Sequence, residues 1–234
     1  MLSRSPLLVA ALLVTHVLTA QGQTRGPAAG TGANIHDHLL IQTAKDVLRE
    51  DADHPVEGSP YMTEEFTKGT VITAKRVFPD IEMRYNIHAD VIEFRQNNQT
   101  YWLDPVPQIV RVDIGKLRLV VGGEDGSQRW GYYELLDSGE VMLMVRHRVA
   151  FQQGRPPQAL ESKATPARYT RMPEMYFYQR TGGLLTRVTN LKRLLADLPG
   201  DRQALANFAD SEDISVRKRE DLLKLIRYCN AAVH

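Results

Sequence analysis

An arginine, a carboxylate and an indole fall into one row when the chain around Asn97-Asn98 is read as a hairpin. Arg84, Glu93 and Trp102 then share one face of three neighbouring strands. Such a row can bind a polar ligand such as a sugar or peptide, with Trp102 as the stacking platform. The plainer reading is a cross-strand ion pair, its tryptophan covered by the C-terminal helices or the leader segment. His147 is the second candidate. The alternation Val141, Leu143, Val145, His147, Val149 sets it on the more apolar face of a strand. There an imidazole acts either as a general base in a pocket or as a partly buried histidine with one hydrogen-bonding partner. Arg146 and Arg148 fall on the opposite face with Met142 and Met144. Two arginines so spaced can hold a carboxylate or phosphate, although a solvated strand face accounts for them more simply.

The motifs with a known mechanism do not occur: no nucleophile elbow, no zinc-binding His-Glu-x-x-His, no phosphate loop and no dinucleotide fingerprint. Gly122-Gly123-Glu124-Asp125-Gly126 is glycine-rich but reads as a turn between strands. His36-Asp37-His38 has ligand chemistry without an evident third and fourth ligand, and reads as a solvated patch. No metal and no cofactor is expected. Cys229 falls on the inner stripe of the last helix, which suits packing rather than a reactive thiolate. The run Arg217-Lys218-Arg219 is flanked by Glu212, Asp213, Glu220 and Asp221, so it reads as a solvated helix start. Asn98-Gln99-Thr100 matches a glycosylation acceptor but also forms the hairpin turn.

The elements that must position these side chains are mostly strands. Ile81, Met83, Tyr85 and Ile87 alternate with Glu82, Arg84 and Asn86, the period of a strand with one buried face. Asn tolerates the positive φ of a two-residue hairpin turn, so Asn97-Asn98 sets Phe94 opposite Tyr101, Ile92 opposite Leu103 and Glu93 opposite Trp102. The connection around His88-Ala89 agrees, placing Met83 opposite Phe94 and Arg84 opposite Glu93. A slip by one residue would turn every apolar side chain to the wrong face. Further strands are predicted over 109–114, 117–121, 129–136, 140–151, 175–179 and 184–188, with 152–166 as a surface loop. Stripes at Leu191, Leu194, Leu195 and Leu198, and at Leu222, Leu225, Ile226 and Cys229, predict helices, with a short one between them capped by Asp201.

Residues 58–189 therefore form a largely antiparallel, meander-type β-sheet, and 190–234 a small C-terminal helical cluster packed on it, an α+β fold. Ahead of them, 1–22 reads as a signal peptide: Arg4, an apolar run over 7–20, then Ala20 and Gly22 at a cleavage region. Residues 23–57 read as a flexible leader, with a short helix suggested over 35–49. With 29 basic and 28 acidic side chains the chain is close to neutral, which gives no electrostatic reason to expect nucleic acid. One cysteine allows no intramolecular disulfide, and its distance from the cleavage region excludes a lipid anchor there. No later segment approaches bilayer length. The chain is thus expected to be exported, soluble, and periplasmic or secreted.

Gly58-Ser59-Pro60-Tyr61 leading through Glu65-Phe66 to Gly69, then Arg84-Tyr85-Asn86 with Asp90 and Glu93-Phe94, and a closing segment from Asp221 to Asn230 together resemble a group of exported bacterial proteins of unknown function. The resemblance implies a bacterial envelope location and brings no activity, cofactor or catalytic residue. Two readings of function follow. The first is a non-enzymatic envelope protein whose sheet binds a small ligand or a protein partner. The second is a secreted hydrolase acting on envelope glycan or peptide, with His147 or Glu93 as general base. The second requires another polar group within hydrogen-bond reach of His147 or Glu93 inside a concave pocket.

Overall fold

The computed structural model describes residues 41–43 by their backbone, and residues 56–123, 129–156 and 164–232 in full. The stretch read as a signal peptide, the His36-Asp37-His38 cluster and most of the segment read as a leader lie outside the described residues. The chain runs β1 (Ile41–Thr43), β2 (Thr67–Thr73), β3 (Val77–Asn86), β4 (Val91–Gln96), β5 (Gln99–Leu103), β6 (Ile109–Ile114) and β7 (Leu117–Gly123). It continues through β8 (Trp130–Asp137), β9 (Val141–Arg146), β10 (Val149–Gln152), β11 (Arg168–Arg171), β12 (Met175–Arg180) and β13 (Thr186–Arg187). Helices α1 (Leu191–Asp197), α2 (Arg202–Ser211) and α3 (Arg219–Ala232) close it. Eleven strands form one antiparallel sheet in the order β1-β5-β4-β3-β2-β6-β7-β8-β9-β12-β13, and β10 pairs with β11 apart from it. This is the α+β architecture that the alternation and the C-terminal leucine stripes predict.

The meander has the predicted register. Met83 pairs with Phe94, Arg84 with Glu93, and Tyr85 with Ile92; across the next turn Glu93 pairs with Trp102 and Phe94 with Tyr101. Asn97 and Asn98 adopt φ of 51° and 61°, the paired left-handed conformation that matches strand twist in a tight hairpin. Met83, Tyr85, Ile92, Phe94 and Leu103 are all buried in the main core.

The sheet's buried face runs on into the helical region. Val112, Leu119, Glu134, Val145 and Tyr176 are successive lateral neighbours across β6, β7, β8, β9 and β12. The helices cover this face at β9 and β12, where Leu194, Leu205, Leu222, Leu225, Ile226 and Cys229 pack on Val141, Leu143 and Val145. Each such side chain contributes about 1.5–3 kcal/mol when fully buried. Asp201 caps α2 by accepting from the amides of Gln203 (2.8 Å) and Ala204 (3.2 Å). The far end of α3 is fixed by Asn230, whose amide accepts from Val141 N (2.9 Å) and donates to Val141 O (3.0 Å). The opposite face of β9 is not solvated: Met144 packs there with Tyr133, Phe177 and Leu185 in a smaller cluster.

Three local expectations change. Ile41–Thr43 is a strand rather than part of a helix; it pairs with β5, whose edge otherwise offers unsatisfied backbone groups. The strand predicted over 140–151 is two strands, β9 and β10, broken at His147-Arg148. The amide of Tyr132 donates to Asp90 Oδ1 (3.3 Å), so it does not extend the β8–β9 ladder past the Glu134–Val145 pair. The chain then turns to pair with β11, a strand with no evident signal in the sequence. The strand predicted over 184–188 shortens to Thr186–Arg187.

Candidate functional site

The break after β9 opens one side of a cavity of about 740 Å³. Arg146 and His147 line it from the end of β9, Arg148 and Val149 from the start of β10, and Ile87, His88 and Asp90 from the β3–β4 turn. β12 supplies Met175 and Phe177, the segment leading into α1 supplies Leu185 and Arg187, and α1 itself supplies Arg193. Four arginines therefore meet a single carboxylate, Asp90, above an apolar floor.

Arg146 is held from behind. Its guanidinium contacts Asp90 Oδ2 (3.3 Å) and Tyr133 Oη (3.2 Å). Asp90 has a φ of 55°, and also accepts from Tyr85 Oη at 2.8 Å. Burial pushes the Asp90 carboxyl above its usual range, although the Tyr85 hydrogen bond and the Arg146 charge oppose that shift. Burial, reinforced by the Asp90 charge, lifts the Tyr85 hydroxyl well above the ordinary phenol value. The pair packs closely over Gly131. A Cβ there would lie 3.0 Å from Asp90 Oδ2 and 3.1 Å from an Arg146 nitrogen. Arg146 was expected on a solvated face; the Tyr133–Met144–Phe177 cluster and Asp90 make it half-buried instead.

His147 is held from another side. Its Nε2 lies 2.7 Å from Glu134 Oε2. Glu134 also accepts from both terminal nitrogens of Arg219, at 3.0 and 2.9 Å. Arg219 extends to Glu174 (2.6 Å), which accepts in turn from Tyr176 Oη (2.7 Å). Burial alone would raise the Glu134 carboxyl, but hydrogen bonds from His147 and Arg219 and the Arg219 charge hold it down to about 2. Since that carboxylate only accepts, Nε2 carries the proton and Nδ1 is the ring's remaining polar atom. Arg219 thus corrects the reading of Arg217-Lys218-Arg219: Arg217 and Lys218 are solvated, whereas Arg219 joins two carboxylates from the start of α3.

Arg148, Arg187 and Arg193 are exposed and form no ion pair with any described residue. His88 belongs to the wall: its ring lies 5.3 Å from Tyr169 and 6.1 Å from Phe151, which ties the β3–β4 turn to the β10–β11 hairpin.

The Arg84–Glu93–Trp102 row lies elsewhere and does not line this cavity. Arg84 donates to Glu93 Oε2 from Nε (2.8 Å) and Nη2 (2.7 Å), and to Glu64 O from Nη1 (2.9 Å). Asn86 takes the other Glu93 oxygen at 2.9 Å. The Arg84 guanidinium lies over the rings of Tyr61 (3.6 Å) and Phe66 (4.5 Å). Glu93 is 5% exposed, and its hydrogen-bonding capacity is committed to the chain. Trp102 is half-buried, with the backbone of Gln42 paired beside it. Of Arg84, Glu93, Trp102 and His147, only His147 reaches the cavity, where it is joined by Arg146 and Arg148, the arginine pair noted in the sequence.

Cys229 is fully buried and its Sγ lies 3.3 Å from Pro199 O. No group of three or more metal-ligating side chains clusters among the described residues, and none of their helices is long and apolar enough to cross a membrane.

Glu134, Arg187 and Arg193 went unnoticed in the sequence, and Asp90 entered it only as part of the family resemblance, with no site role. Glu134 shares its strand period with Tyr132, which is buried. No family model, curated protein or solved structure matches this chain.

Proposed function

We propose that this is an exported, non-enzymatic binding protein whose ligand is an anion held in the cavity beside β9. One observation carries the reading: four arginines line that cavity against one carboxylate, and three of them have no ion-pair partner among the described residues. Cations left unpaired around a concave site raise the local concentration of anions and hold a carboxylate or phosphate with charge-assisted hydrogen bonds. Arg146, fixed by Asp90 and Tyr133, is a preorganised donor, which lowers the ordering cost of binding. The export reading rests on the signal-like first residues.

The test is a thermal-shift series with phosphate, citrate and neutral sugars, repeated on an Arg148→Ala/Arg187→Ala/Arg193→Ala variant. The three side chains are exposed, so the variant folds. The anions raise the melting temperature of the parent and not of the variant, because a ligand that binds only the folded state stabilises it. Equal shifts in both proteins would end the proposal.

A second reading has its own support. His147 lines the cavity and Glu134 lies within hydrogen-bond reach of it, which supports a secreted hydrolase of envelope glycan or peptide. In that reading Glu134 orients the imidazole and Nδ1 takes a proton from water. Hydrolysis of such a substrate, abolished by His147→Gln, would favour it over simple binding.

A further inference from the structure

We infer that the ligand is an amphiphile, an anionic carboxylate or phosphate head joined to an apolar chain or ring; this rests on the anion-binding reading above. The argument begins with register. On β12, Met175 pairs laterally with Arg146 of β9, and Phe177 pairs with Arg187 of β13. Residues two apart on a strand share a face, so all four side chains belong to one side of the sheet. An apolar strip on the central strand is thus flanked by a guanidinium on each neighbouring strand. All four residues line the cavity.

The floor extends beyond that strip. Leu185 packs on Phe177 in the same cluster, and Ile87 and Val149 face the cavity from its other walls. Next to Leu185, Leu184 is 66% exposed, the most exposed large apolar side chain among the described residues. Volume points the same way. Pockets for organic ligands span roughly 300–1,000 Å³, so a cavity of about 740 Å³ far exceeds what an inorganic anion fills. A small ion held by the arginines would leave the half-buried Met175 and Val149 against water. A neutral hydrocarbon would leave Arg148, Arg187 and Arg193 without counter-charge. An amphiphilic anion satisfies both sets of groups.

The experiment is titration calorimetry of the protein with inorganic phosphate, butyl phosphate, octyl phosphate and neutral octyl glucoside at constant ionic strength. Octyl phosphate binds at least about tenfold more tightly than butyl phosphate, because each added methylene leaves water. An Arg187→Ala/Arg193→Ala variant, which leaves the apolar floor intact, weakens octyl phosphate by about tenfold or more. Phosphate and octyl phosphate binding alike would overturn the amphiphile while leaving the anion reading standing. Octyl glucoside binding as tightly as octyl phosphate, with no effect of the arginine substitutions, would overturn both. Absence of binding by all four probes would also overturn both.

Discussion

Glu134 Oε2 lies 2.7 Å from His147 Nε2, although His147 stands two residues beyond Val145, the partner of Glu134 in the β8–β9 ladder. That contact fixes the imidazole tautomer, and its other half, the double contact from Arg219, ties the sheet to the start of α3. Glu134→Gln keeps the shape and removes the charge. It lowers unfolding free energy by about 1–3 kcal/mol, since Arg219 and His147 each lose a charged acceptor. Urea denaturation of the two proteins at neutral pH measures the difference.

The same carboxyl makes stability depend on acid. A carboxyl with a lower pKa in the folded chain stabilises the fold above its unfolded value and loses that contribution as pH falls through the folded one. For Glu134 the window runs from the ordinary 4.5 down to about 2. Glu174 shifts in the same direction: burial opposes the shift, but hydrogen bonds from Arg219 and Tyr176 prevail. Urea midpoints therefore fall through this range, and Glu134→Gln flattens the fall. At the alkaline end, burial and then Asp197 push the Tyr178 hydroxyl up to about 12, so its contribution is complete below pH 10 and disappears as pH rises through 12.

Gly131→Ala separates binding from folding. The new Cβ would meet only the ends of two side chains, Asp90 and Arg146, which can move aside. Melting temperature changes little, while anion affinity falls because Arg146 loses the position that Asp90 imposes. Calorimetry with phosphate beside a thermal melt reads both quantities.

The hairpin turn can be improved. Asn98 holds a φ of 61°, which glycine adopts at no steric cost. Asn98→Gly stabilises the protein by up to about 1 kcal/mol, visible as a raised urea midpoint.

How far the chain revealed itself depended on the range of the interaction. The meander was legible because alternation and the Asn97-Asn98 turn act over a few residues and agreed on one face. The stripes at Leu222, Leu225, Ile226 and Cys229 placed α3 for the same reason. The cavity was not legible. It needs Asp90, fifty-six residues before Arg146, to occupy space beside Gly131, and Arg219 to reach back eighty-five residues to Glu134. No local period records such meetings. The Arg84–Glu93 register was correct, yet Tyr61, Phe66 and Asn86 enclose the pair, and those contacts lie outside any hairpin pattern.

Cys229 is predicted to be inert. Burial raises its pKa, and its side chain packs among Leu222, Leu225 and Ile226. Iodoacetamide leaves it unmodified in the native protein and labels it fully in denaturant, as mass spectrometry will show.

The central claim is that the arginines around the cavity beside β9 hold an anion. Heteronuclear NMR of the arginine Nε–Hε groups during an octyl phosphate titration tests it most directly. The account predicts that the signals of Arg146, Arg148, Arg187 and Arg193 shift together and saturate with one affinity, while those of Arg84 and Arg219 stay in place. Movement of Arg84 or Arg219 without the cavity set, or no saturating shift in any arginine, would contradict it.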